Sequence, residues 1–309
     1  MPGKRDLLRI SDFSTTEIEA ILDLARRLKA ELRAGTPHPL LAGRTLAMIF
    51  EKPSLRTRVT FEVGMVQLGG AAVHLAPGDI RFGERESAGD VARNLERWVD
   101  LIMARTFAHQ SVADLAAGAR VPVINGLSDL HHPCQVLSDC FTLLERRGRL
   151  AGLRVAFVGD GNNMVHSWMD AAARLGFDVV LACPPGYEPD AAITAEAGPR
   201  ATITHDVATA VRDADVIYTD VWTSMGQEAE AKVRLRAFRP YQVNEQVVAL
   251  ARPDALVMHC LPAHRGEEIT DAVLDGPQSV VFEQAENRLH VQKAIMVWLR
   301  GAEGARRRA

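Results

Sequence analysis

The apolar residues of this chain follow two spacings, one typical of buried strands and one typical of amphipathic helices. Short continuous apolar runs predict strands of a parallel sheet, because such strands are buried on both faces. In the first half of the chain they are Thr45–Phe50, Ala71–Leu75, Leu101–Ala104 and Val121–Asn125. Apolar residues at helical spacing predict helices at about 14–32, 55–68, 88–98, 110–117 and 133–147.

The same alternation begins again after Gly148–Gly152. Predicted strands there are Val155–Val158, Val179–Ala182, Thr202–Thr204, Val216–Thr219, Leu256–His259 and Val280–Phe282. Predicted helices are at about 164–175, 190–197, 206–212, 229–237, 244–250, 270–274 and 289–300. The pattern predicts an α/β protein with two doubly wound parallel-sheet domains. We expect them at 1–148 and 149–288, with the C-terminal helix, about 289–309, packing back on the first domain.

Composition and charge limit the possible classes of protein. The 309 residues are 47% hydrophobic and 24% charged, which is typical of a globular chain. A net charge of −3 argues against nucleic-acid binding. The sequence has no apolar stretch long enough to cross a membrane and no apolar N-terminal signal, so we expect a cytoplasmic protein. The four cysteines form no C-x-x-C pair, which argues against a zinc site or disulfide framework.

Hydroxyls and guanidiniums cluster where the first predicted strand gives way to a helix. The segment is Ser54-Leu-Arg-Thr-Arg58, and it follows a turn at Pro53. Ser54 is a natural N-cap, and a helix start offers unpaired N–H groups and the positive end of a dipole. These groups together suit a phosphate dianion. We interpret the segment as an anion site; the alternative is a capped helix with solvated arginines.

Two further candidates follow strands of the first half, where ligands bind in such sheets. Arg105 is either a solvated loop residue or a second clamp on an anion. His132 and Gln135 stand three apart across a helix start. The helix dipole there favours a neutral imidazole, which can donate a hydrogen bond to a carbonyl oxygen. The alternative for His132 is a simple capping role.

The second half has three candidate motifs at strand ends. The segment Asp220–Gly226 would suit an amine and a carboxylate, or is a capped surface loop. Cys260 is either inert packing or a thiol that nearby charges activate. The segment Gly159–Met164 half-matches the dinucleotide fingerprint but lacks its third glycine, so a NAD-dependent oxidoreductase is an alternative. A non-catalytic two-lobed small-ligand binder is another.

Taken in order, these motifs resemble the aspartate/ornithine carbamoyltransferase family over about residues 5–302. The segments Ser224-Met-Gly226 and His259-Cys-Leu-Pro262 resemble its ornithine branch. The resemblance implies carbamoyl transfer from carbamoyl phosphate to the δ-amine of L-ornithine, giving citrulline and phosphate. It also implies no metal or organic cofactor, and a homotrimer or a multiple of trimers.

The resemblance implies roles for particular residues. Carbamoyl phosphate would be bound by Ser54, Leu55, Arg56, Thr57, Arg105, His132, Gln135, Cys260, Leu261 and Arg288. Ornithine would be bound by Asn163, Asp220, Ser224 and Met225, and catalytic roles would fall to Arg105, His132 and Cys260. Leu55 replaces the threonine usual in the family and would bind only through its N–H. Relatives that act on acylated ornithines also carry an apolar residue there, so an acylated ornithine or putrescine is an alternative acceptor.

Overall fold

The chain forms two compact α/β units. The computed structural model describes residues 4–80, 82, 85–226 and 228–301. One unit holds residues up to Phe141 together with those from Glu286 onward, and the other holds Thr142–Ala285. Both boundaries fall inside helices, whereas the sequence prediction placed them at 148/149 and 288/289. Within the described ranges, no helix is both long and apolar enough to cross a membrane.

The first unit is built on four parallel strands. They are β1 (Thr45–Phe50), β2 (Ala71–Leu75), β3 (Leu101–Arg105) and β4 (Val123–Leu127), in the order β2-β1-β3-β4. The helices are α1 (Thr15–Arg33), α2 (Leu55–Gln67), α3 (Ala88–Leu95), α4 (His109–Gly118) and α5 (Pro133–Arg147), the last of which ends in the second unit. Because β1 connects to β2 on one side and has β3 on the other, the strand order reverses between β1 and β3. The carboxyl ends of these two strands form the crevice where ligands bind in such sheets.

The second unit is built on five parallel strands. They are β5 (Arg154–Val158), β6 (Asp178–Ala182), β7 (Ala201–Thr204), β8 (Val216–Thr219) and β9 (Leu256–His259), in the order β7-β6-β5-β8-β9. The helices are α6 (Asn163–Leu175), α7 (Ala191–Ala197), α8 (Val207–Val211), α9 (Ala231–Phe238), α10 (Glu245–Val248) and α11 (Asp271–Leu274). Here the strand order reverses between β5 and β8. Their carboxyl ends carry the glycine-rich turn and Asp220.

The last helix, α12 (Val281–Arg300), packs on the first unit as predicted. Lys293 Nζ donates to Gln67 Oε1 on α2 at 2.8 Å, and Lys29 Nζ on α1 donates to Asn287 Oδ1 at 2.6 Å. The predicted strand Val280–Phe282 is wrong, because Val281 begins α12. Only Ser279 makes a single bridge, to Val257 of β9. The strong helix formers that follow Phe282 explain why the apolar run becomes the first turn of a helix.

Candidate active site

The start of α2 has the geometry predicted for an anion site. Ser54 is the N-cap with φ −159° and ψ 114°, and its Oγ accepts a hydrogen bond from the Thr57 N–H at 3.3 Å. Leu55 is the first helical residue and its side chain is 74% exposed, so the apolar replacement causes no clash in the core. The first-turn amides of α2 therefore lie beyond the carboxyl end of β1, where a phosphate could accept from them.

Buried guanidiniums stand beside this helix start. Arg288 of α12 is buried, and its Nη2 donates to Thr57 Oγ1 at 2.7 Å. Arg105 ends β3 and is also buried, because every residue of this central strand is covered. Arg56 is half-buried on the first turn of α2. Three guanidiniums near one helix start make this region positively charged, which favours the binding of an anion.

The charges of these arginines converge on His132. The imidazole is buried just before α5, and burial lowers its pKa well below the ordinary value of 6.5. The charges of Arg288, Arg105 and Arg56 lower the pKa further. A neutral imidazole was predicted from the helix dipole, but burial and three guanidiniums are the causes that the structure shows. The neutral ring keeps one donor and one acceptor nitrogen.

Gln135 adds an acceptor in the first turn of α5. Its side chain is buried and its Nε2 donates to Asp139 Oδ1 at 2.8 Å. Its Oε1 has no hydrogen-bond partner among the residues described. Buried carbonyl oxygens are normally satisfied, so this oxygen can accept from an amide NH₂ group of a ligand.

In the second unit, Asp220 joins the ends of three strands. It lies directly after β8, and its Oδ2 accepts from Asn162 Nδ2 at 3.0 Å. Its Oδ1 accepts from Cys260 Sγ at 2.9 Å. Because Asn162 follows β5 and Cys260 follows β9, one carboxylate receives donors from the strands on either side of its own. A carboxylate with a thiol beside it suits a ligand amine.

The other predicted residues of this unit lie on the same segments. Asn163 is the first residue of α6, after the N-cap Asn162 whose Oδ1 accepts from the Met164 N–H at 2.9 Å. Ser224 is half-buried and Met225 is exposed, both on the loop that follows Asp220. The side chains of Ser224 and Met225 are thus accessible to a ligand, while Asp220 itself is buried.

Cys260 is the most accessible of the four cysteines. All four are described and none is in a disulfide. Cys134, Cys140 and Cys183 are buried, and burial raises their thiol pKa values, to about 12 for Cys134 and Cys183. Cys260 is half-buried. Any thiol chemistry at neutral pH therefore falls to Cys260.

A buried histidine–carboxylate pair supports the turn that carries Cys260. His259 Nδ1 accepts from the Leu261 N–H at 2.8 Å, so Nε2 carries the proton and donates to Glu268 Oε1 at 3.0 Å. Leu261 has φ +56°, a conformation that L side chains rarely adopt, and this bond helps to hold it there. Sequence reasoning missed Glu268, because no local pattern links it to a residue nine positions earlier.

Three donor atoms of this region lie close enough to suggest a metal. Those of Asp220, His259 and Cys260 are within 4.8 Å of one another. However, both ring nitrogens of His259 have protein partners, and the Cys260 thiol donates to Asp220. The donor set is therefore already engaged in hydrogen bonds that a metal would have to break, which does not favour a metal site.

The glycine-rich turn does not have the features of a dinucleotide site. A Cβ at Gly161 would lie 2.4 Å from Pro189 N and 2.6 Å from Tyr187 O. Gly161 is therefore required by the close approach of the protein's own main chain, not by a pyrophosphate. Asp178, the acidic residue at the approximate ribose-binding offset, begins β6 and pairs with Arg200 at 2.8 Å. These contacts argue against the oxidoreductase hypothesis.

Comparison with known proteins gives a consistent result over nearly the whole chain. Residues 5–145 match the model described as "Aspartate/ornithine carbamoyltransferase, carbamoyl-P binding domain", and residues 151–299 match the model for its Asp/Orn binding domain. The ornithine carbamoyltransferase of Thermococcus kodakarensis is 55% identical over 304 residues, 96% of each chain.

Two relatives add a structural comparison. The Pyrococcus furiosus protein, named as anabolic, is 55% identical over 96% of each chain. Its structure has a TM-score of 0.91 and covers 95% of this chain and 96% of that one. The Thermus thermophilus ornithine carbamoyltransferase structure has a TM-score of 0.88 at 49% identity, and covers 95% of this chain and 98% of that one.

Proposed function

The chain belongs to the aspartate/ornithine carbamoyltransferase family, and on that basis we propose that it transfers the carbamoyl group of carbamoyl phosphate to the δ-amine of L-ornithine. The products are L-citrulline and phosphate, as in arginine biosynthesis. The observation that carries the proposal is the convergence of Arg56, Arg105 and Arg288 on neutral His132 in the unit that matches the carbamoyl phosphate domain. The ornithine acceptor follows from the 55% identical relatives.

Carbamoyl phosphate is bound through both of its ends. The phosphate accepts hydrogen bonds from Ser54, Thr57, the Leu55 N–H and the Arg56 guanidinium, since a helix start and a guanidinium fork both suit a dianion. The remaining residues bind the carbamoyl group or complete the site, and they are Arg105, His132, Gln135, Cys260, Leu261 and Arg288. Gln135 Oε1 is the acceptor suited to the carbamoyl NH₂.

Ornithine is bound by Asn163, Asp220, Ser224 and Met225. The amine must be neutral to attack, yet a free alkyl amine resembles lysine, with a pKa of about 10.4. Asp220 and Cys260 are the acidic and thiol groups suited to bind this amine. Cys260 acts as a hydrogen-bonding partner and not as a covalent nucleophile, so no carbamoyl-cysteine adduct forms during turnover.

Charge develops on the carbonyl oxygen as the amine attacks, and on phosphate as it leaves. Arg56, Arg105 and neutral His132 stabilise these charges. Such preorganised donors are the largest kind of catalytic contribution, and the loss of one lowers kcat by about 10²–10³-fold. Alignment of the two substrates supplies much of the remaining acceleration.

One assay tests the reaction and its acceptor. Purified protein is given carbamoyl phosphate with ornithine, N-acetylornithine, putrescine or aspartate, and the carbamoylated products are measured. We expect citrulline, with kcat/KM highest for ornithine. A higher kcat/KM for N-acetylornithine or putrescine would contradict the acceptor, and no product with any amine would contradict carbamoyl transfer.

The proposal includes a cytoplasmic homotrimer, or a multiple of trimers. The thiol state of all four cysteines fits a reducing compartment. An exposed apolar stripe on α2 supports self-association, because monomeric proteins rarely leave such surface uncovered. It consists of Leu55, Val59, Val63 and Val66, which share one helix face.

A further inference from the structure

The proposed function leaves one buried cation unexplained. Arg234 lies on α9 and is only 4% exposed, although its neighbours on both sides are exposed. A guanidinium at this depth costs free energy unless partners compensate for the lost water. Its contacts therefore indicate what it contributes.

Arg234 binds two separate segments of the chain. Its Nε donates to the main-chain oxygen of Trp222 at 2.6 Å, and its Nη2 lies 2.5 Å from Asp160 Oδ2. The guanidinium carbon lies 4.8 Å from the ring centre of Tyr187 and 5.3 Å from that of Phe238. The two aromatic rings fix the plane of the guanidinium. Its Nε then holds the segment of Trp222, and its Nη2 holds the segment of Asp160.

These two segments carry the residues proposed to bind ornithine. Trp222 lies midway between Asp220 and Ser224, and Asp160 lies three residues before Asn163. The segments also meet through the hydrogen bond from Asn162 to Asp220. Arg234 thus joins the root of the Asp220–Gly226 loop to the turn before α6, without itself being accessible to a substrate.

We propose that Arg234 and Asp160 are positioning residues of the ornithine site. Their ion pair holds Trp222, and with it Asp220 and Ser224, at the spacing from Asn163 that ornithine requires. This inference rests on the proposed function, which assigns ornithine to these residues. Lysine cannot replace Arg234, because one ammonium lacks the fork that reaches both the Trp222 carbonyl and the Asp160 carboxylate.

The test compares Arg234→Lys and Asp160→Asn with Arg236→Lys, an exposed position on the same helix. Steady-state kinetics gives the KM for ornithine, and calorimetry gives the Kd for carbamoyl phosphate. We expect both variants to raise the ornithine KM by about tenfold or more, because Arg234→Lys loses the charged hydrogen bond to the Trp222 oxygen and Asp160→Asn loses the ion pair. The carbamoyl phosphate Kd should change little, since eight of its ten proposed ligands lie in the first unit and only Cys260 and Leu261 lie in the second. Arg236→Lys should behave as wild type.

A pH profile separates positioning from general stability. Burial raises the pKa of Asp160 to about 6; the charge of Arg234 from α9 opposes this, and that of Asp220 after β8 adds to it. The Cys183 thiol after β6 also faces Asp160. Above about pH 6 the carboxylate is ionised and paired with Arg234, and below it the pair is lost. The wild-type ornithine KM should therefore rise as pH falls through 6, and Asp160→Asn should lack this step.

The outcomes distinguish this inference from the proposed function. If wild type forms citrulline but both variants keep its ornithine KM, the positioning role is wrong and the function stands. If wild type forms no citrulline, the function fails and the inference with it. Should Arg234→Lys fail to fold, as judged by thermal unfolding, Asp160→Asn and its pH profile decide. If both variants only unfold, or lose both substrates equally, the pair is structural and the inference is overturned.

Discussion

At the scale of single residues, Gln292 carries a buried amide that its surroundings do not satisfy. It is completely buried on α12, and neither its Oε1 nor its Nε2 has a hydrogen-bond partner within the described part of the chain. Unsatisfied buried amides cost about 1–3 kcal/mol. We expect Gln292→Leu to raise the free energy of unfolding by about 1 kcal/mol in urea titrations, because a similar volume is kept and the penalty is removed.

Gln284 on the same helix is the matched control. Its Oε1 accepts from the His259 N–H at 3.1 Å and its Nε2 donates to the Tyr218 hydroxyl at 3.2 Å. Gln284→Leu should therefore lower the free energy of unfolding by about 1–3 kcal/mol, since it leaves partners unpaired. Equal destabilisation by both variants would show that Gln292 has partners of its own, such as ordered water.

His132 gives a prediction in the pH dependence. Its lowered pKa keeps the imidazole neutral in the folded protein, while the unfolded chain takes up a proton near the ordinary value of 6.5. The contribution of His132 to stability is therefore complete above about pH 6.5 and declines as pH falls below it. NMR of ring-labelled protein should show one histidine, identified by its loss in His132→Gln, that does not titrate between pH 8 and 5.5. A midpoint near 6.5 for that signal would contradict the buried cluster.

Candidate residues could be predicted where a local sequence motif indicates their chemistry. Their hydrogen-bond and ion-pair partners from distant segments could not. Ser54 was predicted at a helix start and Asp220 at a strand end, and the structure has both residues at those positions. Arg234 and Glu268 were missed, since each has a role only through segments that the fold brings together. The neutral state of His132 was predicted, but its main causes lie in burial and in guanidiniums distant in sequence.

At the scale of elements, the start of α2 gives the two arginines of one motif different surroundings and therefore different expected roles. Arg56 acts on buried His132, whereas Arg58 is exposed and pairs with Glu62 at 3.5 Å. We expect Arg56→Ala to weaken carbamoyl phosphate binding by about 10²-fold, the loss of a bidentate charged contact, and Arg58→Ala to change it little. Calorimetry measures both, with circular dichroism as the control for folding. If Arg56→Ala kept the wild-type affinity, the proposal that Arg56 binds the phosphate would be wrong.

The turn between β5 and α6 has no room for a side chain. Gly161→Ala would push a Cβ into the main chain at Pro189 and Tyr187, so the turn or the facing segment must move. We expect a loss of about 2 kcal/mol or more in unfolding free energy, a cost typical of overpacking. Gly89→Ala in α3 is the control, and it should raise the free energy of unfolding. Its Cβ would meet only Ser87 Oγ, at 3.9 Å, and alanine stabilises a helix relative to glycine by about 0.5–1 kcal/mol.

Strand and helix predictions failed where local preferences conflict. Val280-Val281-Phe282 has strand-forming residues, but Val281 is buried and Phe282 is 68% exposed on a helix. The helix-forming residues that follow decide the outcome. Elsewhere, buried strands of both sheets were predicted to within one or two residues, because continuous apolar runs between turns leave few alternatives.

At the scale of the whole molecule, the exposed stripe on α2 is the surface expected to form the contact between subunits of the proposed trimer. Val66 is 67% exposed on this stripe, and Val233 is 65% exposed on α9 of the second unit. In sedimentation experiments, wild type should have a mass of about three times the 33.8 kDa of the chain, or a multiple of that trimer mass. Val66→Glu should shift the protein towards 33.8 kDa, because a buried carboxylate disfavours association, while Val233→Glu should not. Identical masses for both variants would exclude the stripe as the contact.

The fold class was predictable from β/α alternation, and the unit boundaries, at 141/142 and 285/286, lie near the predicted 148/149 and 288/289. Both unit boundaries fall inside helices, α5 and α12, and a continuous helix has no signal in its sequence where it passes from one unit to the other. The glycine-flanked turn at Gly148–Gly152 was the clearest sign of a domain boundary in the local sequence, so the boundary was predicted there. The compact units are set by long-range contacts, such as those of Arg288 and Lys293 with α2.

Those contacts of α12 have a consequence for how the chain is made. A ribosome delivers α1 and α2 early, but Arg288 and Lys293 leave its tunnel only after all of Thr142–Ala285 has been translated. Until then Thr57 and Gln67 lack the hydrogen bonds that Arg288 and Lys293 of α12 donate to them in the folded chain. A nascent chain stalled before Glu286 should thus bind carbamoyl phosphate more weakly than the full chain, because it lacks Arg288 and the contacts of α12 with α2.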